Sequence, residues 1–222
     1  MVELHFHLNY PSSMIDNKSE IIFIIDDDHA VRRSLSLFLI ASGFQVETSS
    51  SAEEYLARAP FDGSGCLILD VHMEGKSGLE LQNELNRMNT QLPIIFITGQ
   101  GNIPMSVDAL KKGAVNFLEK PFDDNMLLQS ISEALELSRK WKVEKEEIKA
   151  CQQLMETLTP REFEIVALVI TGMLNKQIAG ELNIAEHTVK LHRHSICEKL
   201  GVKSVPEIIR IADKAATLTS EI

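Results

Sequence analysis

The hydrophobic pattern divides the chain into two unlike parts. From Ile21 onward, apolar runs of strand length alternate with stretches in which apolar residues recur every three or four positions. The runs fall near 21–25 (IIFII), 44–48, 66–70 (CLILD), 93–98 (PIIFIT) and 115–119 (VNFLE). The stretches between them predict helices near 30–41, 51–59, 77–89, 104–112 and from 123 onward. Such alternation argues for βα units, and near-continuous apolar strands for burial on both faces. The predicted fold class is therefore α/β, a doubly wound five-stranded parallel sheet. Gly43, Gly63 with Gly65, and Gly113 read as the breaks where the chain returns.

Four of the runs end in polar residues. After 21–25 come Asp26, Asp27 and Asp28; 66–70 ends in Asp70; 93–98 ends in Thr98; Lys120 follows 115–119 and precedes Pro121. An acid after a strand is by itself commonly a turn former or helix cap. Four such ends together mean more, because a doubly wound sheet brings its carboxyl ends to one crevice. Crowded carboxylates repel unless a cation joins them, and Mg²⁺ takes hard oxygen ligands of this kind. With a lysine and a hydroxyl alongside, the set suits a phosphoryl group in transfer.

In this order DDD, LILD, ITG and EKP resemble the receiver domain of two-component response regulators, over about residues 20–138. The resemblance implies a flavodoxin-like receiver fold with Asp70 as phosphoacceptor. It implies a metal site of Asp26, Asp27, Asp70 and the main-chain carbonyl of His72, with Mg²⁺ as cofactor. It further implies that Thr98 hydrogen-bonds the phosphoryl group, Lys120 ion-pairs with it, Thr98 and Phe117 form the switch, and the Lys120–Pro121 bond is cis. Two positions depart from the usual pattern: Glu74, where proline is common, and His72, two past the acceptor. His72 also bears on a rival reading, a phosphohydrolase with an aspartyl-phosphate intermediate. Such enzymes commonly carry a second carboxylate at that position.

Beyond 138 the pattern is wholly helical. ELSRKWKVEKEEIKACQQLMETL has no glycine or proline and reads as a helical linker over 139–157. Leu127, Ala134, Trp141, Ile148 and Met155 recur every seventh residue, but Ser138, Lys145 and Gln152 occupy the companion positions. A half-filled heptad is a poor coiled coil, so the segment reads as an exposed linker helix with one apolar stripe. Thr159, Pro160 and Glu162 then form a capping box with proline at the first helical position. Three more helices are predicted near 175–182, 186–200 and 204–216, separated by Asn183 and Gly201. At 100° per residue Val189, Ile196 and Leu200 share one face of 186–200, while His187, Lys190, Leu191 and His194 share the other.

The string from Leu158 to Val202 resembles the LuxR-type helix-turn-helix of NarL/FixJ-family response regulators, a likeness spanning nearly all of 158–217. It implies a small all-α DNA-binding domain over 158–222 with 186–200 as recognition helix. Lys190, Leu191 and His194 would face the groove and Thr188 would lie beside a phosphate. Leu191 is of a kind that can touch a thymine methyl. Ala185 stands where the family often has a capping Ser or Thr, a loss of about 1 kcal/mol.

Charge sharpens this division. The chain of 222 residues carries a formal net charge of -10. Residues 1–155 hold 23 acidic and 14 basic side chains, while 156–222 hold 9 and 8. Within 187–204 there are four cations, Lys190, Arg193, Lys199 and Lys203, against Glu198 alone, which is compatible with a nucleic-acid surface on a neutral domain. Three scattered cysteines show no metal or disulfide spacing. No run approaches a membrane span. Residues 1–19 lack any period and read as a disordered leader, with Met14 a candidate start.

Together these features predict a cytoplasmic, non-enzymatic transcription factor. It would accept a phosphoryl group on Asp70 from a sensor histidine kinase, dimerise when phosphorylated, and bind double-stranded promoter DNA, with RNA polymerase a candidate partner. A DNA-binding protein whose receiver is never phosphorylated is the remaining alternative.

Overall fold

The computed structural model describes residues 20–217, apart from Gln91, Gln100 and Asn102. The leader at 1–19, with Met14, lies outside the described residues. The described residues form two compact units, divided between Lys142 and Val143 inside one helix.

The first unit is a five-stranded parallel sheet of β1 (Ile21–Ile25), β2 (Gln45–Ser49), β3 (Gly65–Asp70), β4 (Ile94–Thr98) and β5 (Asn116–Glu119), in the order β2-β1-β3-β4-β5. The alternating helices are α1 (His29–Ala41), α2 (Ala52–Ala57), α3 (Gly78–Arg87), α4 (Ile103–Lys111) and α5 (Asp124–Glu156). Central β3 and β4 are buried at every position, which is why they read as unbroken apolar runs. Edge strand β2 is mostly exposed and correspondingly polar. Phe23, Leu67, Leu69, Phe96 and Leu81 pack on one face; Ile22, Ile24, Ile68, Ile95 and Ile97 pack with Leu127 and Ile131 of α5 on the other. Each such fully buried side chain contributes roughly 1.5–3 kcal/mol.

Gly43 and Gly113 do make returns, at φ 92° and 95°. Gly65 does not. It opens β3, where a Cβ would stand 2.3 Å from the Ile21 carbonyl oxygen, so only glycine lets β3 close on β1 here.

The stripe on α5 is not an exposed linker face. Leu127, Ile131, Ala134 and Leu135 are buried against the sheet, and polar Ser138 is buried as well, its hydroxyl accepting the Gly65 N–H at 3.0 Å. Farther on, Ile148 is buried, and Cys151, Leu154 and Met155 pack on the core of the second unit. Gln152 donates to the Ala215 carbonyl, and Lys214 pairs with Glu147. The apolar stripe is thus consumed within the chain, first by one core and then by the other.

That second core is built by α6 (Pro160–Ile170), α7 (Asn175–Glu181), α8 (Glu186–Leu200) and α9 (Val205–Ala216), through Ile165, Val169, Ile178, Val189, Ile196 and Ile208. The Thr159–Glu162 capping box starts α6. Asn183, at φ 51°, turns α7 into α8, and Gly201, at φ 66°, ends α8.

Candidate functional site

The strand order reverses direction between β1 and β3, and a parallel sheet with such a switch point leaves a crevice beyond its carboxyl ends. Asp26 follows β1 directly, and Asp70 is the last residue of β3. Both are buried, whereas Asp27 is exposed. One carboxylate oxygen from each lies within 4.8 Å of the others. Lys120, just past β5, reaches back over this cluster with its Nζ 2.8 Å from Asp26 Oδ2 and 3.2 Å from Asp70 Oδ1. Its backbone is held by Lys120 N–H to the Thr98 carbonyl at 2.7 Å, and the Lys120–Pro121 bond is cis.

The arrangement shifts the protonation of both Asp70 and Lys120. Burial lifts the Asp70 carboxyl above the usual range, the Lys120 ammonium pulls it back, and Asp26 pushes it up again, for a net upward shift. Burial would lower the Lys120 ammonium, but its bonds to Asp26 and Asp70 outweigh that, and the net shift is upward. Three carboxylates facing one ammonium leave an excess of hard oxygen donors. That donor set fits a divalent cation such as Mg²⁺, which is held by carboxylates together with water and phosphate oxygens.

Of the other residues singled out by sequence, Thr98, His72 and Glu74 lie at the same edge, and Phe117 sits two residues below it. Thr98 ends β4, fully buried, with Oγ1 3.2 Å from Nδ1 of exposed His72. Phe117 pairs in register with Phe96, its ring half-buried and 6.1 Å from the Phe96 ring. Glu74 donates its backbone N–H to Asp27 Oδ2 at 2.9 Å, so the departure at that position ties the loop to the acidic pair.

Three contributors were not recognised in the sequence. Gly78 begins α3 with its N–H on the Val71 carbonyl, and a Cβ there would stand 2.2 Å from the Asp70 carbonyl oxygen. Arg32 donates to the Asp26 carbonyl at 2.5 Å from one turn into α1. Asp28, the last of the three acids after β1, caps α1 by accepting from the Ala30 and Val31 N–H groups. The signal for Asp28 was available, since an Asp before a helical pattern is a capping signature. A glycine's close approach carries none.

In the second unit, α8 buries Val189, Ile196 and Leu200 and exposes His187, Lys190, Leu191 and His194, with Thr188 half-buried. Ala185 makes no side-chain cap, as its composition requires. The helix is held from behind by Glu162 of α6. Its buried carboxylate accepts from Lys199 Nζ at 2.6 Å, Ser195 Oγ at 2.7 Å, and Thr159 N–H and Oγ1 at 2.8 and 2.9 Å. This network too escaped the sequence, where Glu162 read only as half of a capping box. Arg193 is fastened to Asn175 Oδ1 of α7 at 2.5 Å. What remains outward on α8 is a polar face of mixed charge, carrying Lys190, two histidines and two glutamates around one apolar side chain.

Comparison with known proteins bears on both units. Residues 22–132 match the response regulator receiver domain, and residues 156–212 match the bacterial regulatory proteins of the LuxR family. Nodulation protein W of Bradyrhizobium diazoefficiens is 44% identical over 87% of this chain and 85% of its own length. Transcriptional regulatory protein FixJ of Rhizobium meliloti is 38% identical over 86% and 94%. Among solved structures, the response regulator StyR aligns with a TM-score of 0.75 at 43% identity, covering 88% of this chain and 99% of that one.

Proposed function

The chain belongs to the response regulators that join a receiver domain to a LuxR-family DNA-binding domain, and from that premise we propose that Asp70 is the phosphoacceptor through which a sensor histidine kinase controls promoter binding. The observation that carries this reading is the meeting of Asp26, Asp27, Asp70, Thr98 and Lys120 at one sheet edge. An Asp70 carboxylate oxygen attacks phosphorus as the bond from phosphorus to the kinase imidazole breaks, leaving an acyl phosphate on Asp70 and a neutral histidine on the kinase. Asp26, Asp27, Asp70 and the His72 main-chain carbonyl would hold Mg²⁺, which supplies charge neutralisation at the phosphoryl oxygens. Lys120 gives up its contact with Asp70 for one with the new phosphoryl group. Thr98 turns its hydroxyl from His72 to a phosphoryl oxygen, and the space it leaves lets Phe117 turn inward. A conformer able to make these contacts gains differential free energy on phosphorylation.

We assign the receiver to 20–138, a helical linker to 139–157 and the DNA-binding domain to 158–222, after a leader at 1–19. Lys190, Leu191 and His194 meet base edges or phosphates in a major groove, and Thr188 meets a flanking phosphate. The phosphorylated form is a homodimer whose partners are promoter DNA and, as a further candidate, RNA polymerase. It works in the cytoplasm as a regulator and not as an enzyme. Among the described residues, no helix is long and apolar enough to cross a membrane. His72, where a phosphohydrolase would place a second carboxylate, favours acceptance over turnover.

The test is incubation with acetyl phosphate and Mg²⁺ followed by intact mass. The chain should gain one acid-stable, base-labile phosphoryl group, and Asp70→Asn should gain none. Undiminished labelling of the variant would remove Asp70 from the role.

A further inference from the structure

Every long cation of α8 has a partner, but the partners are of two kinds. Lys199 and Arg193 are tied inward, to Glu162 and Asn175, and serve the fold. Lys190 and His194, on the outward face, are matched to acids on the same helix. Lys190 Nζ lies 3.1 Å from Glu186 Oε1, and His194 Nε2 lies 3.6 Å from Glu198 Oε1. Glu186, Lys190, His194 and Glu198 follow one another at four-residue steps, each advancing about 40° around the helix. Glu198 thereby falls within the arc occupied by His187, Leu191 and His194, opposite buried Val189, Ile196 and Leu200.

Stability does not account for Glu198. It stands in the last turn, where the helix macrodipole disfavours negative charge, and it follows its partner His194 in sequence, the weaker order for a pair four residues apart. Its side chain is 70% exposed, so it fills no packing role. Glu186 lies in the first turn, where an acid favours the helix, and its partly exposed side chain occupies Lys190.

We infer that Glu186 and Glu198 are specificity-determining residues that balance the charge of the recognition face. This rests on the reading of α8 as the DNA-contacting helix. A face whose only fixed charge was Lys190 would gain affinity from any phosphate backbone, because that attraction is sequence-independent. With the two acids on the same exposed side, Lys190 gains little on a random duplex. Base-edge contacts, available only at the right sequence, then supply the difference.

The experiment uses the full chain, fluorescence anisotropy, a random-sequence duplex and a duplex that the wild-type chain selects from a random pool, each titrated between about 0.05 and 0.2 M salt. Lys190→Gln should weaken binding to the random duplex and flatten its salt dependence. Glu186→Gln and Glu198→Gln should each tighten it and steepen that dependence. One additional phosphate neutralised adds about 0.9 to the logarithmic slope, or about eightfold in affinity at ~0.1 M salt. The preference for the selected duplex should fall by a similar factor. Thermal unfolding should show Glu198→Gln no less stable than wild type, so that this variant carries the test if Glu186→Gln folds poorly. If Lys190→Gln weakens binding but both glutamate variants keep the wild-type slope on the random duplex, the inference fails alone. Loss of affinity for the selected duplex in Glu186→Gln at unchanged random-duplex slope would make Glu186 a reader of cytosine amino groups and would also overturn it. If Lys190→Gln changes nothing, the DNA reading of α8 falls, and the inference with it.

Discussion

Replacing Glu162 with Gln should destabilise the DNA-binding unit by about 2 kcal/mol at neutral pH, through the network behind α8. Burial pushes the Glu162 carboxyl up, but the Lys199 ammonium, the Thr159 N–H and the Ser195 and Thr159 hydroxyls more than reverse it, holding it at about 2 against an ordinary 4.5. A shift of that size corresponds to at most about 3 kcal/mol of preference for the charged form in the folded state. The Lys199 side chain is 33% exposed, so solvent screening reduces this to about 2 kcal/mol. Since the folded value is depressed, the contribution is complete above about pH 4.5 and is lost as pH falls toward 2. For a unit of this size, ~2 kcal/mol lowers the melting temperature by about 10 °C. Amide exchange across α6 and α8 during thermal unfolding reports this unit selectively. The wild-type advantage over Glu162→Gln should be full at pH 7 and should shrink steadily below pH 4.5. A variant melting within about 2 °C of wild type at pH 7, or an advantage that persists unchanged to pH 2.5, would refute the reasoning.

Gly78→Ala places a methyl 2.2 Å from the Asp70 carbonyl oxygen, so α3 must withdraw from β3. The overpacking should cost about 1–3 kcal/mol in denaturant unfolding of the receiver and slow acetyl phosphate labelling of Asp70. Labelling at the wild-type rate would show that α3 yields without moving the acceptor. Ile103, Val107 and Leu110 are exposed apolar residues on α4, beside β5, which carries Phe117. Beryllofluoride with Mg²⁺ should therefore convert the chain from monomer to dimer through the face spanning residues near 104–122 and the start of α5. An unchanged monomer in sedimentation velocity would count against that face.

Periodicity determined a great deal here, because the core of a parallel sheet leaves a direct trace: strands buried on both faces are apolar up to the residue that closes them, as 66–69 in β3 and 94–97 in β4 are. The acidic, hydroxyl and lysine residues at the strand ends were legible for the same reason, since a polar residue closing a buried strand has only the sheet edge to occupy. Helix starts written in local chemistry, such as the Thr159–Glu162 box, were equally visible. What sequence could not supply was contact between residues distant in the chain. That Lys120 bridges Asp26 and Asp70, that Gly65 and Gly78 admit the Ile21 and Asp70 carbonyls, and that Glu162 anchors α8 through Lys199 and Ser195 are all decided by packing. The stripe on α5 shows the limit most clearly. A row of apolar residues states that a face will be buried, but not by what, and only tertiary structure divides that row between two cores of the same chain. Burial depends on which surfaces meet, and a one-dimensional pattern records the need for a partner without naming it.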